Sequence, residues 1–376
     1  MRGGTSKAVV FNQADLPSDR AVWPKIFRAI MGSPDIYGRQ LDGMGGGVSS
    51  VSKICIVGKS ERTDADVDYT FAQISVKDGA VDFSGNCGNM SSAIGPFAVE
   101  EGLAPYPQGN QAIVRIYNTN TSKIIVSRFN MDDTLAAVDG EMTIDGVTGS
   151  GAPIRLDFES PGGTKTGRLL PSGNPTDQIT IPELGQISIS LVDAANPCVF
   201  VRAQDLGFQG TELPEALEQE PVLLERLEFI RRTASVMMGL APDVEAAGQM
   251  KVLPIVAMIC SPVTATLLSG KTLDAKASDI VVRMISTGQP HRAVPVTGAL
   301  CLAIACRIPG SLPQQLLAQT HPDQDIRIAH PSGVFIAAAK VTQNKEDGVV
   351  AHYGTVYRTS RRLFEGHVLY RPGSLS

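Results

Sequence analysis

The chain has 376 residues, of which 43% are hydrophobic and 19% charged, and its formal net charge is −5. This is the composition of a globular protein, and the length exceeds what one core usually supports, so two domains are expected. A nucleic-acid partner is excluded because Lys and Arg form no cluster, and a membrane span is excluded because the apolar runs are too short. Six dispersed cysteines without a CxxC pair indicate a thiol-reducing, cytoplasmic compartment.

The first half opens on a glycine-rich turn in MRGGTSKAVVF, followed by an amphipathic helix pattern that ends at Gly32. A second glycine-rich turn, DGMGGGVSSVSK, leads into a strand that begins near Lys53. This turn does not match the glycine patterns that bind nucleotide phosphates. Strands are predicted for most of the remainder, as in ADVDYTFAQISV and AIVRIYNTNTSKIIVSRF.

A domain boundary is predicted between residues 160 and 178, where Gly, Pro, Ser and Thr are concentrated. The domains are then 1–170 and 171–376, with the extreme C-terminus expected to return to the first. In the second domain the patterns predict strands in QISISLV and NPCVFVRA and a helix in PVLLERLEFIRRTASVMMG. A further series of strands opens with KVLPIVAMIC.

One arrangement occurs in both halves. Extended chain leads to a turn of small residues, Asn86-Cys87-Gly88-Asn89 in the first half and Val296-Thr297-Gly298 in the second, and each turn starts a helix that is apolar on nearly every side. Such a helix must be buried inside its domain. Each half is therefore predicted to wrap strands around a central helix, and the two helix starts are the comparable points.

The two helix starts are candidate anion sites, because a helix N-terminus presents free N–H groups and a partial positive charge. Two of them facing each other across a cleft would bind a polycarboxylate. Cys87 would then donate or accept a proton at the edge of this site. The alternative is that Cys87 only fills a tight turn, with Asn86 and Asn89 as caps.

Lys53 lies at the end of a Gly/Ser-rich turn, where low-dielectric surroundings would favour the neutral amine that a base needs. A solvated lysine at the start of a strand is the alternative interpretation. His291 and Arg292 could contact a carboxylate or could form an exposed loop, and the AHPSGVF segment around His330 fits a turn equally well. Cys301 and Cys306 are predicted to be buried thiols.

Eight motifs in this order resemble the PrpF family of isomerases: MRGGTSK, DGMGGGVSSVSK, GNCGNMSSAIGPFAVEEG, PSGNPTD, DAANPCVFV, VTGAL, HPSG and RTSRRLFEG. The resemblance implies an α+β fold of two diaminopimelate epimerase-like domains, each a curved mixed or antiparallel sheet around a central helix. It places the active site in the cleft between the domains. Members of the family usually carry a short strand ahead of the first motif, and this sequence begins at the methionine of that motif, so either the strand is missing or the start is misassigned.

The resemblance further implies an isomerase without metal or organic cofactor that moves a proton and a double bond in an unsaturated acid. The candidate acids are 2-methylaconitate, aconitate, methylitaconate and 4-oxalomesaconate, and a homodimer is compatible with the sequence. Lys53 and Cys87 become the acid–base pair. The predicted substrate-binding residues are Thr5, Ser6, Ser52, Asn86, Gly88, Asn89, His291, Thr297, Gly298 and His330.

Two questions stay open at this point. Epimerases of this fold use two cysteines, whereas the second helix start carries Thr297, which favours a mechanism centred on Lys53 over a two-thiol mechanism. A non-catalytic protein that binds a polycarboxylate for a partner enzyme is the alternative function, because a fold does not fix an activity. Lys53 and Cys87 together favour the enzyme.

Overall fold

A computed structural model of the protein describes residues 1–250, 252–286, 288–318, 321, 324–344 and 348–370. The packing divides the chain into two compact units. Unit 1 is Met1–Glu159 together with the C-terminal segment from Tyr357, and unit 2 is Ser160–Val356. The boundary at 170–171 stays a prediction of the sequence, and residues 160–170 pack with unit 2.

Unit 1 is built on a mixed sheet. Its strands are β1 (Arg2–Gly3), β2 (Ser6–Lys7), β3 (Val9–Asn12), β4 (Lys53–Lys59), β5 (Val67–Ile74), β6 (Val81–Asp82), β7 (Gln111–Asn118), β8 (Lys123–Asp132), β9 (Leu135–Ala136), β10 (Met142–Thr143), β11 (Ser150–Gly151) and β12 (Ile154–Glu159). The main sheet has the order β3-β4-β5-β7-β8-β12. The β1–β2 hairpin pairs separately with a C-terminal strand, Ser360–Arg361.

Two helices cover this sheet. The predicted amphipathic helix is α1 (Trp23–Met31), and it ends at Gly32 in the left-handed conformation that glycine adopts most readily. Its apolar face packs on Ile54, Ile56 and Ile74 of β4 and β5. The second helix, α2 (Ser91–Glu100), buries all its residues except the last, as predicted for a central helix, and it packs on β7, β8 and β12.

Unit 2 has its own mixed sheet and five helices among the described residues. The strands are β13 (Asp177–Ile181), β14 (Gly185–Ala194), β15 (Asn196–Arg202), β16 (Ile255–Cys260), β17 (Ala265–Thr266), β18 (Thr272–Leu273), β19 (Ile280–Ser286), β20 (Gln289–Pro290), β21 (Ile326–His330), β22 (Gly333–Asn344) and β23 (Gly348–Arg358). The helices are α3 (Pro214–Glu218), α4 (Pro221–Met237), α5 (Val244–Gln249), α6 (Val296–Ala305) and α7 (Leu312–Leu316). Lys251, in the predicted strand KVLPIVAMIC, lies outside the described residues.

The two units repeat one topology, which confirms the predicted internal duplication. The order β3-β4-β5-β7-β8-β12 runs parallel, antiparallel, parallel, antiparallel, antiparallel. The order β15-β16-β19-β21-β22-β23 has the same sequence of directions. In each unit a two-residue strand, β6 or β20, then leads to the buried helix, α2 or α6. The α+β class with a sheet around a central helix is therefore confirmed, and the Cys301 and Cys306 thiols are buried as predicted.

No helix in the described part of the chain has both the length and the hydropathy of a membrane span.

Candidate active site

Lys53 is the first residue of β4, and its side chain is buried, with only 8% of the residue exposed. Its Nζ donates a hydrogen bond to Oε1 of Gln73, the directly paired residue on β5, and lies 5.1 Å from the centroid of the Phe71 ring. The Gln73 amide is itself fixed, because its Nε2 donates to the carbonyls of Ser49 and Ser52. The alternative of a solvated lysine is therefore wrong.

The glycine-rich turn before Lys53 is organised by the buried side chain of Gln40. Its Nε2 donates to the Ser52 hydroxyl at 2.7 Å, and its Oε1 accepts from the Gly47 N–H at 3.0 Å. A side chain at Gly45 would collide with the Gln40 amide, so the close approach requires glycine there. Ser52, a predicted substrate contact, is fully buried, and its hydroxyl accepts this hydrogen bond inside the turn.

Cys87 is half-buried and lies in the turn that precedes α2. The helix begins at Ser91, two residues after the turn Asn86-Cys87-Gly88-Asn89 that was predicted to start it. The Cys87 carbonyl nevertheless accepts from the Ser91 N–H at 3.0 Å, which aligns the turn with the helix. Among the described hydrogen bonds, the backbone N–H groups of residues 87–90 have no protein acceptor, so this turn can receive an anion.

Cys55 lies two residues after Lys53 on β4, and its thiol is buried. Burial raises the pKa of this thiol to about 12. The Cys55 Sγ also lies 3.7 Å from the Tyr69 hydroxyl. Both predicted catalytic residues, Lys53 and Cys87, belong to unit 1.

A third group of residues meets the same turn from the other side. The Asn89 side chain donates to the Thr5 hydroxyl at 3.1 Å and accepts from Nε of Arg358 at 3.1 Å. Arg358 is buried, and burial lowers its pKa to about 10. Ser6 lies beside Thr5 in the β1–β2 hairpin and is buried. The sequence analysis missed Arg358, although it lies in the motif RTSRRLFEG, which received no role.

In unit 2 the corresponding helix, α6, starts at Val296 with Pro295 as its cap. The Thr297 hydroxyl accepts from the Asn196 side chain at 3.3 Å. A side chain at Gly298 would collide with the Met284 sulfur, so the helix packs closely on β19. Asn196 is a second residue that the sequence analysis missed, and its signal was the DAANPCVFV motif.

The two predicted histidines of unit 2 lie at strand ends, since His330 is the last residue of β21 and His291 follows β20. His330 is buried, and its Nδ1 accepts from the Ser332 N–H at 3.2 Å. The Ser332 hydroxyl donates to the Arg292 carbonyl at 2.6 Å, which joins this turn to the loop of His291. The Arg292 side chain is exposed and forms an ion pair with Glu215. Ser332 thus links the turn after His330 to the loop that follows His291.

We expect the free energy of unfolding to decrease as the pH falls below about 6.5, and His291→Gln to reduce this decrease. Burial lowers the pKa of His291 below its ordinary value of 6.5, so the unfolded chain binds its proton at a higher pH than the folded chain does. Stability from the neutral imidazole is then complete above pH 6.5 and is lost towards the lowered folded value, by at most about 1.4 kcal/mol per pH unit. Urea unfolding at pH values between 7 and 5 measures the free energy of unfolding of the wild-type protein and of His291→Gln. An equal decrease in the two proteins would contradict the expectation.

The family-model comparison matches residues 1–371 to the PrpF protein family. The 3-methylitaconate isomerase of Eubacterium barkeri is 38% identical over 377 residues, covering 100% of this chain and 97% of that protein. The 2-methyl-aconitate isomerase of Shewanella oneidensis is 35% identical, covering 98% of this chain and 95% of that protein. A crystal structure of methylitaconate-delta-isomerase superposes with a TM-score of 0.91 at 38% identity, covering 100% of this chain and 95% of that chain.

The family model and the relatives match nearly the whole chain, so the resemblance noted in the motifs is confirmed. The relatives are named as isomerases, which decides between the enzyme and the non-catalytic alternative. This chain belongs to the PrpF family and is an isomerase.

Proposed function

We propose that this protein moves a proton and a carbon–carbon double bond in an unsaturated di- or tricarboxylic acid. The relatives' names give the substrate class: methylitaconate and methylaconitate are both unsaturated polycarboxylates with a proton on carbon next to the double bond. The identities of 38% and 35% are too similar to favour one acid. The proposal is therefore the class that these acids share.

The observation that carries the proposal is the buried amine of Lys53, which Gln73 orients in the same unit as the Cys87 turn. As the neutral amine, Lys53 can donate one N–H to Gln73 Oε1 and keep its lone pair for substrate. It removes the proton from the allylic carbon, and the electron pair of that C–H bond spreads over the double bond and the carboxylate. Return of a proton to the far carbon completes the isomerisation.

Negative charge that develops in this intermediate needs donors already in place. The backbone N–H groups of residues 87–90 lie at the N-terminal end of α2, where the helix dipole adds partial positive charge. The buried guanidinium of Arg358, held through Asn89 beside Thr5, adds a full charge near the same turn. These groups support binding of a carboxylate. In unit 2, Thr297, Gly298, His291 and His330 remain proposed substrate contacts.

Lys53 is proposed to handle both proton transfers. The start of α6, which the sequence pairs with the Cys87 turn, carries Thr297, whose hydroxyl is a poor acid and accepts a hydrogen bond from Asn196. Cys87 would then hold and polarise the substrate without being the essential second acid.

A panel of acids tests the substrate class. The protein is incubated separately with 2-methylaconitate, aconitate, methylitaconate and 4-oxalomesaconate, and products are followed by NMR. We expect double-bond migration or cis–trans isomerisation for at least one acid. Its turnover should be at least about tenfold faster than that of the others, because an acid that leaves polar groups of the site without a hydrogen-bond partner reacts much more slowly. If the protein isomerises none of the four acids, the proposal is overturned.

Activity is expected to be independent of metal ions. In the described part of the chain, no group of three or more His, Cys, Asp or Glu is arranged to hold a metal. Exhaustive treatment with EDTA, followed by assay in chelator-treated buffer, should leave turnover unchanged. A reproducible loss that one divalent ion restores would contradict this expectation.

A further inference from the structure

We propose that Asn120 is a positioning residue that sets the separation between Lys53 and Cys87. The catalytic roles of Lys53 and Cys87 rest on the proposed function. The position of Asn120 between the segments that carry them follows from its own hydrogen bonds. Asn120 lies in the loop between β7 and β8, outside the motifs that identified the family.

On one side Asn120 is bonded to β5. Its Oδ1 accepts from the Phe71 N–H at 2.8 Å, and its Nδ2 donates to the Phe71 carbonyl at 2.9 Å. The centroid of the Phe71 ring lies 5.1 Å from the Lys53 Nζ. Asn120 therefore binds the backbone of Phe71, the residue whose ring lies beside the Lys53 Nζ.

On the other side the same amide holds the segment that carries Cys87. Its Nδ2 also donates to the Phe83 carbonyl at 2.7 Å. Strand β6 pairs with β5 at only two positions and ends at Asp82, so the chain has left the sheet by Phe83. The hydrogen bond from Asn120 Nδ2 to the Phe83 carbonyl takes the place of strand pairing at the start of the segment that leads to Cys87.

A neighbouring asparagine reinforces this link. The buried Asn118 Nδ2 lies 3.2 Å from Asn120 Oδ1, 3.2 Å from the Tyr69 carbonyl and 3.4 Å from Asn86 Oδ1. Asn86 precedes Cys87, and its side chain also contacts the Ser91 hydroxyl at the start of α2. The two amides thus join β5 to both ends of the segment 83–87.

The alternative is that Asn120 only stabilises the loop between β7 and β8 and has no effect on the site. Thr119 provides a matched control, because its hydroxyl bonds to Thr70 at 2.7 Å and so links the same loop to β5. It has no hydrogen bond to the segment 83–87 among the described residues. Loss of Thr119 should loosen the loop without moving Cys87.

The test compares Asn120→Ala with Thr119→Ala in the full chain. One readout is the rate of Cys87 alkylation by iodoacetamide, followed by peptide mass spectrometry, and the other is kcat against KM on the preferred acid. For Asn120→Ala we expect the alkylation rate to change at least about threefold and kcat to fall at least about fivefold with little change in KM, since a misplacement of about 1 Å can cost about a hundredfold. Thr119→Ala should change neither.

Equal effects of the two substitutions, or no change in Cys87 alkylation with Asn120→Ala, would overturn the proposal. If Asn120→Ala does not fold, Asn120→Ser carries the same expectation, because one hydroxyl can donate to only one of the two carbonyls. If the wild-type protein turns over none of the acids, the alkylation rates still decide the positioning role, while the proposed function fails separately.

Discussion

Replacing Lys53 by alanine is expected to lower kcat by about 10²–10⁴-fold, the usual contribution of a general acid or base. The amine is buried, its Nζ is oriented by Gln73, and the Gln73 amide is fixed by two backbone carbonyls. The next three residues of β4, Ile54, Cys55 and Ile56, are buried in the core and offer no second amine beside Lys53. Steady-state kinetics on the preferred acid measure the effect, and circular dichroism checks the fold.

Lys59→Ala is the matched control, because Lys59 ends the same strand and is exposed. It should keep wild-type kcat and KM, which separates the loss of this particular amine from the loss of positive charge on β4. Retention of more than about a tenth of wild-type activity by Lys53→Ala would remove Lys53 from the mechanism.

Cys87→Ser is expected to keep part of the activity, with a loss on the order of tenfold, smaller than for a missing general acid or base. Serine preserves the turn whose carbonyl accepts from Ser91, and it retains a weak donor at the same position. If Lys53 performs both proton transfers, the thiol only assists. Turnover and exchange of substrate protons with deuterated water are measured on the same samples.

The opposite outcome is equally clear. A hydroxyl is a far poorer acid than a thiol at a helix N-terminus, so a Cys87 that protonates the far carbon could not be replaced by serine. Cys87→Ser would then exchange the abstracted proton with solvent while isomerisation was lost. This combination would show that Cys87 is the essential second acid and that the one-base mechanism is wrong.

The sequence predicted those parts of the fold that depend on local pattern. The buried helices α2 and α6 were found because they are apolar on nearly every side, and α1 was found from its amphipathic pattern and Gly32. The helix α2 begins two residues after the predicted turn 86–89, whose Cys87 and Asn89 carbonyls accept from the Ser91 and Ser92 N–H groups.

The site was less predictable, because its residues are joined by strand register and not by spacing along the chain. Gln73 orients Lys53 only because β4 and β5 pair these two positions, twenty residues apart. Arg358 reaches Asn89 from 269 residues away. Asn120 holds Phe71 and Phe83 through backbone atoms, which leave no trace in side-chain pattern.

The most direct test of the account is the isotopic content of the product made in deuterated, metal-free buffer. If Lys53 carries the proton, the abstracted hydrogen joins an amine whose other hydrogens are solvent deuterons, so deuterium should appear at the newly protonated carbon of the product. Lys53→Ala should show neither isomerisation nor exchange under the same conditions. Isomerisation or deuterium incorporation that is undiminished in Lys53→Ala would contradict proton transfer by Lys53.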